Sequence, residues 1–219
     1  MKIAVFGTGS VGQALAGRLA GLFHEVSMGT RNVESTVEGG KVNEFLTANN
    51  SIALKTYAEA AQGAEMIVLA TLGTGAESAL ATAGDISGKV VLDITNPLDF
   101  SNGFPPTLFL SNDTSLGEVL QAKFPTAHIV KSLNTMYNGL MINPRSLGED
   151  STVFVSGNDA DAKVKVTSIL KEFGWKESEI LDLGDITTAR GTESLLPVWL
   201  RIFGATQNGF FNFKVATGK

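Results

Sequence analysis

Apolar and polar positions follow two rhythms along the chain. Residues 2–6 (KIAVF) are a nearly unbroken apolar run, whereas over 11–23 (VGQALAGRLAGLF) Val11, Leu15, Leu19 and Leu22 recur about every four residues. The first rhythm predicts a short buried strand and the second a helix with one apolar face. The alternation continues. Strands are expected at 24–30, 51–56, 65–71 (EMIVLAT), 89–95 (KVVLDIT) and 127–133 (AHIVKSL), and helices at 42–49, 57–64, 76–84 and 115–124. Strands apolar on both faces, each followed by a helix, predict a doubly wound parallel sheet: an α/β, Rossmann-type fold.

After about Pro144 the pattern changes to a strand (151–157), a long helix (159–174), a strand (179–184) and the apolar segment ESLLPVWLRIFG (193–204). The expected organisation is a dinucleotide-binding domain over 1–145 and a smaller C-terminal α/β region over 146–219, packed on it and carrying substrate and oligomer contacts. SLLPVWLRIF holds more apolar surface than one helix face needs, which predicts a homodimer with this element at or near the interface. Residues 96–115, with Pro97, Pro105 and Pro106, fit neither rhythm and are expected as a long loop, either functional or a surface insertion.

The chain has 219 residues, no cysteine and two distant histidines, His24 and His128, which disfavours disulfides, thiolate chemistry and a clustered metal site. A net charge of -5 with scattered Lys and Arg gives no footprint for nucleic acid. No apolar run reaches the roughly 20 residues of a membrane span, and Lys2 leads straight into strand pattern without a signal peptide. A cytoplasmic protein acting on small molecules is the expectation.

Residues 7–12 read GTGSVG, between the first strand and the first helix. In that context Gly7 permits a tight turn, Gly9 admits a pyrophosphate, and Gly12 lets helix pack closely on strand, with the amides of residues 10–12 facing the anion. The end of the second strand selects the nucleotide. An NAD enzyme usually carries a carboxylate there, but residues 29–32 are Gly29, Thr30, Arg31 and Asn32. Arg31 suits a 2′-phosphate, so NADP is the expected dinucleotide, with Glu34 the nearest carboxylate that could oppose it.

Ligands of such sheets lie beyond the carboxyl ends of the strands. Three ends offer small or hydrogen-bonding residues: Ala70, Thr71 and Leu72; Thr95, Asn96 and Pro97; Asn134 and Thr135. None includes a general acid with distinctive spacing; Tyr137, Lys131 and His128 are the available proton donors. Hydride transfer between two redox cofactors needs positioning more than acid catalysis.

VFGTGSVGQALAGRLAGLFHEVSMGTRN, IVKSLNT (129–135) and ARGTESLLPVWL (189–200) together resemble the NADP-dependent oxidoreductases that use the deazaflavin coenzyme F-420, and the related NADPH-binding domain of the STEAP metalloreductases. The resemblance implies that Thr8, Ser10, Val11, Thr30, Arg31 and Asn32 hold the pyrophosphate and 2′-phosphate. It places Ala70, Thr71 and Leu72 beside the ribose and Asn96 and Pro97 beside the nicotinamide. A second cofactor would stack near Asn134, Thr135 and residues 193–196. The sequence departs from the archaeal deazaflavin reductases in having Asn134 where a histidine aligns, followed by Met136-Tyr137, so FMN or FAD is an alternative to coenzyme F-420. An imine or keto reductase resembling pyrroline-5-carboxylate reductase is a second reading, which the strand, helix, strand order of 151–184 disfavours. An NADP-binding redox sensor without turnover is a third.

Overall fold

The computed structural model describes residues 1–218. In chain order the elements are β1 (Lys2–Phe6), α1 (Ser10–Gly21), β2 (Glu25–Thr30), α2 (Val33–Glu38), α3 (Asn43–Ala48), β3 (Ala53–Thr56), α4 (Tyr57–Ala61), β4 (Met66–Leu69), α5 (Gly73–Ala81), β5 (Val90–Asp93), β6 (Leu98–Asp99), β7 (Thr107–Leu108), α6 (Leu116–Lys123), β8 (His128–Ser132), α7 (Asn138–Ile142), β9 (Val153–Gly157), α8 (Ala160–Phe173), β10 (Ile180–Gly184), α9 (Ala189–Ser194) and α10 (Leu196–Thr206). Eight strands form one sheet in the order β10-β9-β8-β5-β4-β1-β2-β3. β1 to β5 and β8 run parallel; β9 pairs antiparallel with β8, and β10 runs parallel to β9.

The two-residue period of a strand explains why so many positions are apolar on both faces. Ile3 and Val5 of β1, Met66 and Val68 of β4, and Val90 and Leu92 of β5 face one buried cluster, which holds Leu15 and Leu19 of α1 and Val166, Ile169 and Leu170 of α8. The alternate residues Ala4, Phe6, Ile67, Leu69 and Val91 face the other, with Ala76 and Leu80 of α5, Leu116 and Leu120 of α6 and Ala189 of α9. Helices thus cover both faces, as the doubly wound reading requires. Among the described residues no helix is long and apolar enough to cross a membrane.

The C-terminal strands extend the same sheet. α8 is bounded by Asp159, whose side chain accepts from the Ala162 amide at 2.7 Å, and by Gly174 in the left-handed region at φ +107°. Residues beyond α10 return across the start of β9: the Thr152 amide donates to the Phe213 carbonyl at 2.8 Å. On the way Phe211 stacks on Trp199 (centroids 5.2 Å apart), which also stacks on Phe203 (5.6 Å). Part of the apolar surplus of α10 is therefore covered by the chain's own last residues. The expected loop at 96–115 contains the short β6–β7 hairpin, and its Phe104 meets Phe203 edge-on at 6.2 Å.

Candidate active site

Strand order reverses between β1 and β4, the place where an open α/β sheet leaves a crevice at its carboxyl edge. The backbones on its two sides touch. Gly7, at φ +118°, sits where an added Cβ would lie 2.5 Å from the Ala70 carbonyl oxygen, and the Ala70 amide donates to Phe6 at 2.8 Å. A Cβ on Gly12 would lie 2.1 Å from the Gly7 carbonyl oxygen, so glycine there sets the approach of α1 to the turn.

Gly9 differs. Its backbone is extended (φ -75°, ψ -179°), open to any residue, and a Cβ there would meet no protein atom within 4 Å. Neither conformation nor packing asks for glycine at this position. Ser10, Val11 and Gly12 begin α1, where amides lack intrahelical acceptors and the helix dipole favours an anion.

Gly7, Gly9, Ser10 and Val11, but not Gly12, line a groove of about 410 Å³ with Thr8, Arg31, Tyr57, Thr74 and Gly75. Arg31 is exposed and forms no ion pair among the described residues. Tyr57 stacks on Phe6 at 4.7 Å; burial raises its phenol pKa, and the nearby Arg31 charge works against that rise. Thr30 and Asn32, expected as phosphate contacts, are otherwise engaged: the Thr30 hydroxyl bonds Thr36 Oγ1 at 2.7 Å, and Asn32 Oδ1 caps α2 by accepting from the Ser35 amide at 2.8 Å. The cap instead presents Ser35 and Thr36 to a polar recess shared with Thr8 and Lys41. Glu34 lines neither cavity.

Val11, Ala70, Thr71 and Leu72 also line a second cavity, of about 210 Å³, so the two adjoin across a shared wall. Its walls come from the ends of β5 (Ile94, Thr95, Asn96) and β8 (Asn134, Met136), from Leu98 and Phe100 at the start of the long loop, and from Met141, Leu196 and Trp199. Asn96 Nδ2 donates to the Asn134 carbonyl at 2.8 Å and Asn134 Nδ2 to Asn96 Oδ1 at 2.9 Å, which ties the two strand ends together. The Thr71 hydroxyl is buried without a protein partner, an available donor and acceptor on the shared wall. Pro97 and Thr135 do not line the cavity; Pro97 offers its carbonyl to the Phe109 amide, and Thr135 is 2% exposed. Met136 lies in the pocket where it was expected; Tyr57, Met141 and Trp199 were not expected here. They come from the start of α4, from α7 and from a helix that begins 62 residues downstream of Asn134, for which the local pattern carries no signal.

None of the three expected proton donors lines the cavity. His128 begins β8 at the opposite edge of the sheet, facing Asp159 at 3.4 Å. Tyr137 is half exposed. Lys131 is fully buried: Nζ pairs with Asp93 Oδ2 at 2.7 Å and Glu193 Oε1 at 2.9 Å and donates to the Thr95 carbonyl at 2.8 Å. Burial opposes its charge, yet the two carboxylates outweigh that and hold its pKa above the usual lysine value. Glu193, expected near a second cofactor, accepts the Leu116 and Gly117 amides at 2.7 and 3.0 Å and fastens α9 to the start of α6. The network is structural: it sits under the Thr95–Asn96 wall and anchors the segment that brings Leu196 and Trp199 to the cavity.

Comparison with known proteins agrees with this geometry. The model of the family described as NADP oxidoreductase coenzyme F420-dependent matches residues 2–97. A crystal structure from Arthrobacter sp. FB24, named provisionally as an F420-dependent NADP-reductase, is 50% identical, covers 99% of this chain and 100% of that one, and superposes with a TM-score of 0.95. F420-dependent NADP reductase of Methanothermobacter marburgensis is 38% identical over 110 residues, 45% of this chain and 46% of that protein. Metalloreductase STEAP3 of Rattus norvegicus is 28% identical over 204 residues, 90% of this chain but 38% of its own length. The chain thus spans less than half of either curated relative. From the glycine turn, the switch-point groove and these matches together, the chain belongs to the coenzyme F420-dependent NADP oxidoreductase family.

Proposed function

We propose that the chain binds NADP(H) across the two adjoining cavities and moves hydride between the nicotinamide and a flat deazaflavin or flavin ring, coenzyme F-420, FMN or FAD. The observation that carries this reading is the wall of Val11, Ala70, Thr71 and Leu72 that the two cavities share, with a glycine turn and a free arginine on one side and an amide pair on the other. Gly9 leaves the space a pyrophosphate needs, and the first turn of α1 supplies amides to it. Arg31, with Ser35 and Lys41 in the adjoining recess, suits a 2′-phosphate. Asn96 and Asn134 offer amide groups for the carboxamide, and the Thr71 hydroxyl lies between the two halves. Bound NADPH supplies the hydride; the protein positions the rings and excludes water.

Titration with NADPH and NADH, followed by NADPH oxidation with each of the three acceptors, tests the reading. A charge-assisted contact made only by NADPH is worth about 10- to 150-fold in affinity. Equal affinities would remove the 2′-phosphate assignment, and tight binding with no acceptor oxidising NADPH would leave a sensor.

The reading includes the 1–145 and 146–219 division, with Asn134 and α10 as the acceptor side, and a homodimer through α10. Supporting the dimer, Val198 stays 49% exposed, and Trp199, Ile202 and Phe203 of the same helix are only partly buried. A Val198→Glu substitution that left sedimentation unchanged would count against this interface.

A further inference from the structure

The acceptor half of the groove has a composition that selects its ligand. Among the described residues, no Asp, Glu, His, Lys, Arg or Tyr lines it. Of its polar side chains, the Thr95 hydroxyl donates to Asp93 at 2.7 Å, Asn96 Nδ2 donates to the Asn134 backbone carbonyl and Asn134 Nδ2 to Asn96 Oδ1. The Thr71 hydroxyl and the Trp199 indole N–H are buried without a protein partner.

Two consequences follow. Reduction of a ketone or imine calls for a positioned acid, and none is present. An acceptor that can hold the electron pair on its own oxygen has no such need. A phosphate or carboxylate tail is ordinarily met by Arg, Lys or a helix N-terminus. Arg31 and Lys41 belong to the other end of the groove; of the first turn of α5 only Gly73 borders the acceptor half, while Thr74 and Gly75 open onto the dinucleotide end. At the acceptor end the rim is apolar: Leu72 is 72% exposed and Phe100 52%. Trp199 also lines this half.

We propose that the acceptor half takes uncharged quinones and that the chain reduces them by two electrons to hydroquinones. The inference rests on the hydride-transfer reading and names a further acceptor class for the same site. The balance is one quinone, one hydride from NADPH and one proton from water, giving one hydroquinone and NADP+. Hydride delivery converts one carbonyl of the conjugated dione to a hydroxyl and leaves the second oxygen as an aryloxide. An aryloxide with a pKa near that of tyrosine, about 10, takes its proton from water at neutral pH without a protein acid. Leu196, Trp199 and Phe100 hold the ring, and Thr71 can donate to a quinone oxygen.

The test compares menadione and duroquinone with coenzyme F-420, FMN and riboflavin as oxidants of NADPH. Expected are one quinone consumed per NADPH, a kcat/KM for menadione about tenfold or more above that for FMN, and riboflavin matching FMN because no group meets the phosphate. Binding is read separately from turnover. Menadione added to protein saturated with NADP+ should quench tryptophan fluorescence, and Trp199→Phe should abolish the quench while buried Trp175 still emits. Phe100→Arg should raise FMN over riboflavin by about tenfold, the gain of one charge-assisted contact. Turnover of coenzyme F-420 or FMN with neither quinone reduced would overturn the quinone inference alone, as would a quench that survives in Trp199→Phe. Failure of every acceptor would overturn the hydride-transfer reading together with it.

Discussion

Asn96 and Asn134 hold one another across the mouth of the acceptor cavity, each side-chain amide donating one hydrogen bond to the other residue, at 2.8 and 2.9 Å. The residues are 38 positions apart, at the ends of neighbouring strands, so the pair fixes how far apart those ends stand. Leu133, just before Asn134, is in the left-handed region at φ 62°, a conformation that a leucine adopts only when its surroundings impose it. Asn96→Ala and Asn134→Ala should each cost about 1–3 kcal/mol of stability. The double variant should lose less than the sum, with a coupling of about 0.5–3 kcal/mol in urea unfolding. Additive losses would mean that the amides act independently.

The glycine turn separates fold from binding. Gly12→Ala puts a methyl 2.1 Å from the Gly7 carbonyl oxygen, and backbone must move, at about 1–3 kcal/mol or more. Gly9→Ser adds a side chain where no protein atom lies within 4 Å, at the N-cap of α1, where serine is favoured. Its melting temperature should hold or rise while NADPH affinity falls by tenfold or more. Unchanged affinity in Gly9→Ser would show that no pyrophosphate crosses this backbone.

Arg31→Asp replaces the free cation of the dinucleotide groove with a carboxylate. NADPH should lose about 10- to 150-fold in affinity and NADH should gain relative to it. The fold should be indifferent, since Arg31 is exposed and pairs with no other described side chain. A preference that stayed put would move the 2′-phosphate to Lys41 and its recess.

What could be read from the chain divides along physical lines. Strands such as β4 and β5, buried on both faces, and α1 with its four-residue recurrence carry their own signal, and so do GTGSVG and Arg31. The reversal at β9 does not. An apolar run has no direction, and only the short α7 between β8 and β9, in place of a full crossover helix, marks it. α2 buries none of its residues, so its evidence is the Asn32 cap alone. Near the site, Asn96 and Asn134 were legible as amides at strand ends, but the next residues fall outside the lining: Pro97 turns its carbonyl to the Phe109 amide and Thr135 is buried. Lys131 shows the same limit: a lysine inside an apolar strand could meet substrate or buried carboxylates, and residues 93 and 193 decide which.

Removing that lysine tests the buried network. Lys131→Met leaves Asp93 and Glu193, both essentially inaccessible, without their shared cation, a change worth about 3–5 kcal/mol of destabilisation. An apolar swap of all three residues should not restore stability, because Glu193 also accepts the Leu116 and Gly117 amides and Asp93 the Thr95 amide. Adding Glu193→Gln to Lys131→Met keeps an acceptor for an amide and removes one stranded charge, so the double variant should be more stable than the single. The sign with pH follows from the raised pKa of Lys131. Its stabilisation is complete below the unfolded lysine value of about 10.4 and is lost as pH climbs through the higher folded value. The gap between wild type and Lys131→Met in urea unfolding should therefore be flat from pH 7 to 9 and narrow only in strong alkali. A gap that closed near neutrality would show that Lys131 is not held charged by Asp93 and Glu193.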